Sequence, residues 1–89
     1  MPRKNHMNLR AYSIRDAKCE IFHPPWYAKT HGEAERIFAQ SVNDEKTMLS
    51  KFPEDFDLYF VGEYDETSGV FRSLDTPQHQ LKAVQLKRS

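Results

Sequence analysis

Aromatic rings beside basic side chains are the chemistry this sequence offers most plainly. Phe22, Trp26 and Tyr27 flank the Pro24-Pro25 pair, with Arg15, Lys18 and Lys29 nearby in the chain. Such rings stack nucleobases while cations meet phosphates, the combination used by proteins that hold single strands. The competing use of Trp26 and Tyr27 is to pack a helix onto a sheet, because small domains fill their cores with aromatics. Further cations stand toward the two ends: Arg3, Lys4 and Arg10 early, Lys82, Lys87 and Arg88 late. They are candidate phosphate contacts or simply solvated ends.

Other chemistries find less support. Cys19, His23 and His31 are metal-ligand types, and the Cys19-x3-His23 spacing brings two of them close. A structural zinc site takes four ligands, usually in paired spacings, so no metal or other cofactor is expected. Glu54-Asp55-x-Asp57 lacks the glycine and closing glutamate of a calcium loop and reads as a solvated approach to a strand. Neither G-x-S-x-G, a P-loop, H-E-x-x-H nor C-x-x-C occurs, and Gly32, Gly62 and Gly69 are too scattered to cradle a phosphate. The expectation is a binding protein, not an enzyme.

The 89 residues suit one domain, with no Pro/Gly/Ser-rich stretch dividing them. A chain this short buries only roughly 60 to 65% of its unfolded surface, which favours self-association, and a homodimer is the expected assembly. The single cysteine, Cys19, excludes an internal disulfide and points to a reducing, cytosolic setting. No apolar run reaches the length of a membrane span or signal segment, so no membrane contact is expected.

Thirteen Lys and Arg cancel thirteen Asp and Glu, leaving no global field to steer a polyanion. Their order says more. Residues 1–18 hold five basic groups against one acidic, residues 79–89 three against none, and residues 19–78 five against twelve. If the first and last strands are neighbours, or both lie at sheet edges on one side, a neutral molecule gains one patch of seven net positive charges.

A set of short elements must position these groups. Met7 to Arg15 alternates, with Leu9 and Ala11 on one face and Tyr12 and Ile14 on the other, which predicts a strand. Cys19 to Phe22 forms a brief return before the prolines. Thr30-His31-Gly32-Glu33 is a capping box, and Ala34, Ile37, Phe38, Ser41 and Val42 then recur on one helical face. Asn43-Asp44 ends that helix and caps a short second one over residues 45–51. Leu58 to Tyr64 is the strongest strand, Asp65 to Gly69 a hairpin loop, and Val70 to Ser73 pairs back. Thr76-Pro77 breaks the chain, and Gln80 to Leu86 supplies a last strand. The sum is an α+β fold: a mainly antiparallel sheet of three to five strands, with one main helix and a short second helix on one face. Residues 1–6 are expected to be a flexible basic extension and residues 7–89 the single domain.

His23-Pro24-Pro25-Trp26-Tyr27-Ala28-Lys29, followed by Gly32-Glu33-Ala34-x-Arg36-x-Phe38, resembles the small nonstructural protein of gokushoviruses, single-stranded DNA bacteriophages of the Microviridae. Similar residues continue at Val42-Asn43-Asp44, Thr47, Leu49, Lys51, Pro53-Glu54-Asp55-Phe56, Leu58 to Tyr64, Gly69 and the Pro77 region, so the likeness spans residues 7–86. His23 and Trp26 stand where the family often has Asn and Phe, and Phe52 where it often has His. The resemblance implies an accessory DNA-binding role in single-stranded genome synthesis and packaging, in the cytoplasm of the bacterial host. It implies no catalytic residue.

The chain is expected to bind single-stranded DNA or the replication complex on it, and the residues expected to meet the DNA are Arg3, Lys4, Arg10, Arg15, Lys18, Trp26, Tyr27, Lys29, Lys82, Lys87 and Arg88. The rival expectation is a homo-oligomeric interaction module that contacts the phage replication protein or procapsid.

Overall fold

A computed structural model describes residues 8–88. The basic extension expected over residues 1–6, with Arg3 and Lys4, lies outside the described residues. Strand β1 (Asn8–Asp16) alternates as its sequence predicts. The Asp16 carboxylate ends it by accepting the N–H of Lys18 at 3.0 Å and of Cys19 at 3.2 Å, a side-chain-built turn. Glu20, at φ 60°, then sends the chain into β2 (Ile21–Phe22), which pairs Phe22 with Arg15. Pro24 and Pro25 have no N–H for a ladder, so this edge breaks and resumes as β3 (Trp26–Ala28) on the same strand, Tyr27 against Ala11 and Trp26 against Tyr12. β3 was not legible beforehand: three residues after a Pro-Pro pair carry no readable period.

Helix α1 (His31–Val42) starts at its predicted cap, Thr30 Oγ1 accepting the Glu33 N–H at 3.0 Å. The Glu33 carboxylate reaches past Thr30 and accepts the Lys29 N–H instead, at 2.7 Å. Ala34, Phe38 and Val42 are fully buried, whereas Ile37 is 38% exposed. A narrow sheet meets only the i, i+4, i+8 row of the helix, which leaves Ile37 on the rim. The second helix, α2 (Met48–Lys51), is shorter than expected because Thr47, not Asn43 or Asp44, is its cap. Asn43 has another duty: its amide donates to the carbonyls of Ala39 and Leu86, tying the C-terminal segment to the end of α1.

β4 (Phe56–Asp65) and β5 (Phe71–Lys82) complete an antiparallel sheet in the order β2-β1-β4-β5, with β3 also on the outer edge of β1. The turn between them uses the Asp65 carboxylate as acceptor for the Thr67 N–H and Gly69 at φ 77°. Thr76-Pro77 does not end a strand; β5 runs through it. Proline is tolerated because β5 is an edge and because Leu74 to Pro77 bulge out, the partners jumping from Gly62–Ser73 to Phe60–Gln78. The strand expected over residues 80–86 stops at Lys82, where a 3₁₀ turn (Ala83–Gln85) drops Ala83 into the core.

Tyr12, Phe38, Val42 and Leu58 are the largest fully buried side chains, all between α1 and one face of the sheet. The architecture is the expected α+β arrangement, with helices on one face and the other left open. Among the described residues only part of the expected patch gathers: Arg15 of the first strand and Lys82 of the last stand on either side of Asp57, whereas Lys87 binds Ser50 on the helical side. The first and last strands flank β4 and are not neighbours.

Candidate nucleic-acid interface

The open face owes its composition to one irregularity. β4 skips Val61 opposite Ala11 and Tyr12, so alternation is interrupted and Asp57 and Tyr59 share a face with Gly62 and Tyr64. Alternation along β1 puts Ala11, Ser13 and Arg15 on that face too, with Phe22 and Tyr27 beside them from β2 and β3. β5 adds Phe71 opposite Tyr64, His79 opposite Tyr59 and Lys82 opposite Asp57.

Two aromatic groups result. Phe22 meets Tyr59 edge-on at 5.2 Å between ring centroids, and Tyr59 meets His79 edge-on at 5.3 Å. The Arg15 guanidinium lies over the Phe22 ring, 5.7 Å from its centroid. Further along, Tyr27 and Tyr64 pack at 5.8 Å, and the Phe71 ring covers Gly62. Between the groups the floor is made of small residues, Ala11 and Ser13, the Ser13 hydroxyl donating to the His23 carbonyl at 2.7 Å. Phe22, Tyr27 and Phe71 are 43%, 42% and 40% exposed, too much for core filling and enough to present a ring.

Charge on the face is modest and local. Asp57 lies between Arg15 and Lys82 in register, its Oδ2 3.5 Å from Lys82 Nζ and 2.6 Å from His79 Nε2. One carboxylate thus offsets one of the two permanent cations.

The residues singled out in the sequence scatter accordingly. Arg15, Tyr27 and Lys82 reach the open face. Trp26 does not: its ring stacks on buried Tyr12 at 5.6 Å, on the helix side, so it serves the core. Arg10 alternates to the helix side, where its guanidinium stands beside the Tyr12 hydroxyl. Burial raises the Tyr12 pKa, and Arg10 pulls it partly back. That hydroxyl is hydrogen-bonded to His31 Nδ1 at 2.6 Å. Lys18 is exposed in the turn after β1, and Lys29 precedes α1. Lys87 donates from Nζ to Ser50 Oγ at 2.7 Å, and the Arg88 N–H to Asn43 Oδ1 at 2.8 Å, so both belong to the helical side.

Tyr59, Tyr64, Phe71 and His79 were missed. Alternation in LYFVGEY puts Tyr59 and Tyr64 on opposite faces, and only the skipped Val61 reunites them. Of the metal-ligand types, His31 sits against Tyr12 and Phe60, and His23 against Phe56. Exposed Cys19 holds its proton more tightly than usual because its thiol hydrogen-bonds to the Asp16 carboxylate. Among the described residues, no three His, Cys, Asp or Glu side chains gather to hold a metal ion. No helix among them is long and apolar enough to cross a membrane.

Fold and face together define a small α+β protein whose distinctive feature is an aromatic sheet surface left uncovered by its helices. The chain belongs to the family described as Phage ORF5 protein, which matches residues 9–86. It is similar to Protein ORF5 of Chlamydia phage 1, a gokushovirus of the Microviridae, at 34% identity over 74 residues, covering 78% of this chain and 76% of that protein. The resemblance noted from the Pro-Pro segment and its flanks is thereby established. No solved structure matches this chain.

Proposed function

We propose that this phage protein is a non-enzymatic binder of single-stranded DNA, acting in genome synthesis and packaging in the cytoplasm of the bacterial host. Bases stack on the open sheet face, and Arg15 and Lys82 meet phosphates at one end of it. The observation that carries the reading is the exposure of Phe22, Tyr27 and Phe71 on a single face that α1 leaves uncovered. Base–aromatic stacking contributes about 1 to 3 kcal/mol per base and tolerates any sequence, because every base has a π-face.

Stacking, not charge, then dominates. Two phosphate contacts on a single strand give a slope of log K against log salt of about −1.4, whereas a merged patch of seven would give about −5, at ~0.7 per contact. Titrating a fluorescent thymidine dodecamer between about 50 and about 200 mM salt measures that slope directly. Absence of binding at the lower salt rejects the reading, and binding that is unchanged by Phe22→Ala and Tyr59→Ala moves it off this face.

The same exposed rings also favour a second use. Phe71 and neighbouring Val70, 45% exposed, stand at the hairpin end of the sheet, where a protein partner could cover them. A homo-oligomeric module contacting the replication protein or procapsid would show concentration-dependent size, no DNA binding, and loss of assembly in Tyr27→Ala.

A further inference from the structure

The aromatic side chains of the open face are not spread evenly, and their spacing sets a length. Phe22 stands opposite Arg15 and Tyr27 opposite Ala11, four residues apart on β1 and about 14 Å at ~3.4 Å per residue. On β4 their contacts Tyr59 and Tyr64 pair with Ser13 and Leu9, again four residues apart on β1 because Val61 is skipped, so this interval too is about 14 Å. His23-Pro24-Pro25 is the connection that holds this interval at the edge, since neither proline can continue the ladder that would fill it. Between the two groups lie Ala11 and Ser13, both buried and neither large enough to stack a base, while Gly62 is already covered by the Phe71 ring of the second group.

Resting on the single-strand reading above, we infer that the face is a bipartite site: two stacking platforms, Phe22–Tyr59–His79 and Tyr27–Tyr64–Phe71, that one strand must bridge to bind fully. A strand kept at the stacked rise of ~3.4 Å per nucleotide needs about four steps to cross about 14 Å, and an extended strand needs fewer. Filling both platforms therefore takes about four to six nucleotides, near the lower end of the ~4 to 16 nucleotides that small single-strand binding folds cover. The ligand class is an unpaired oligonucleotide of that length. A duplex, whose bases are already stacked on each other, offers the rings nothing.

The test is affinity against oligonucleotide length, with thymidine dimer, hexamer and dodecamer on the intact chain and on Phe22→Ala and Tyr27→Ala. Both replaced residues are exposed edge positions, and circular dichroism confirms that each variant keeps its fold. The hexamer should bind the wild type at least about tenfold more tightly than the dimer, a gain of ~1.4 kcal/mol from the second platform. The dodecamer should add only the several-fold that extra binding registers supply. Either replacement should reduce the hexamer to roughly the dimer's affinity, so length dependence disappears when one platform is lost. Equal wild-type affinity for dimer and hexamer overturns the bipartite site while leaving single-strand binding intact. So does a hexamer affinity unchanged by Tyr27→Ala but weakened by Phe22→Ala. Failure of the wild type to bind the dodecamer at low salt overturns the single-strand reading, and this inference with it.

Discussion

Two glycines in this protein should respond to the same replacement with opposite signs. A Cβ built on Gly62 would lie 2.6 Å from the Arg72 carbonyl oxygen and 2.9 and 3.0 Å from two carbons of the Phe71 ring. The ring can rotate; the carbonyl belongs to the backbone of β5 and retreats only if the strand moves. Overpacking of this kind costs about 1 to 3 kcal/mol, and the reduced freedom of the unfolded chain returns about 0.4 to 1 kcal/mol, so Gly62→Ala should destabilise by about 1 to 2 kcal/mol. At Gly32, in the first turn of α1, the nearest atom to an added Cβ is Thr30 Oγ1 at 3.9 Å, ordinary contact. Only the propensity gain applies there, so Gly32→Ala should stabilise by about 0.5 to 1 kcal/mol. Urea unfolding followed by circular dichroism reads both effects. With a slope of about 1 kcal/mol/M for a domain this small, the midpoint should fall by roughly 1 to 2 M for Gly62→Ala and rise by roughly half to one molar for Gly32→Ala. A Gly62→Ala protein as stable as wild type, with an unchanged slope, would refute the close approach of β4 and β5 and the seating of Phe71 on that glycine.

Other outcomes follow from single contacts. Trp26→Ala should cost about 2 to 3 kcal/mol in urea unfolding, below the ~3 to 5 of a fully buried ring, because Trp26 is only half-buried against Tyr12. Its neighbour Tyr27→Ala should cost less than about 1 kcal/mol yet weaken DNA binding more, a reversal that a titration beside the unfolding curve would expose. Asp16 should show its contribution in the pH dependence of stability. Burial alone would raise its pKa, but hydrogen bonds from Cys19 and Lys18 outweigh that and hold it below the ordinary 3.8. A depressed carboxylate stabilises the fold above the unfolded value and loses that contribution as pH falls through the folded one. The deficit of Asp16→Asn relative to wild type should therefore be full at neutral pH and shrink below about pH 4; a deficit that grows on acidification would contradict the assigned turn.

Local chemistry was legible in the residues alone. Thr30 with Glu33 marked the start of α1, Pro24-Pro25 marked a break, and the β-branched and aromatic run after Leu58 marked the central strand, because caps, missing N–H groups and β-propensity act within a few residues. The α+β class followed from those signals, and the phage family from the resemblance carried by the Pro-Pro segment and its flanks. Which side chains share a surface did not, since that depends on register. The skipped Val61 brings Tyr59 and Tyr64 to one face, the bulge at Leu74 to Pro77 lets β5 continue past a proline, and β4 lies between the first and last strands. A one-residue slip in pairing reverses every side chain beyond it, and no local rule records where the slip falls. The composition and order of the aromatics are properties of the chain; their gathering into one uncovered face is a property of the folded sheet.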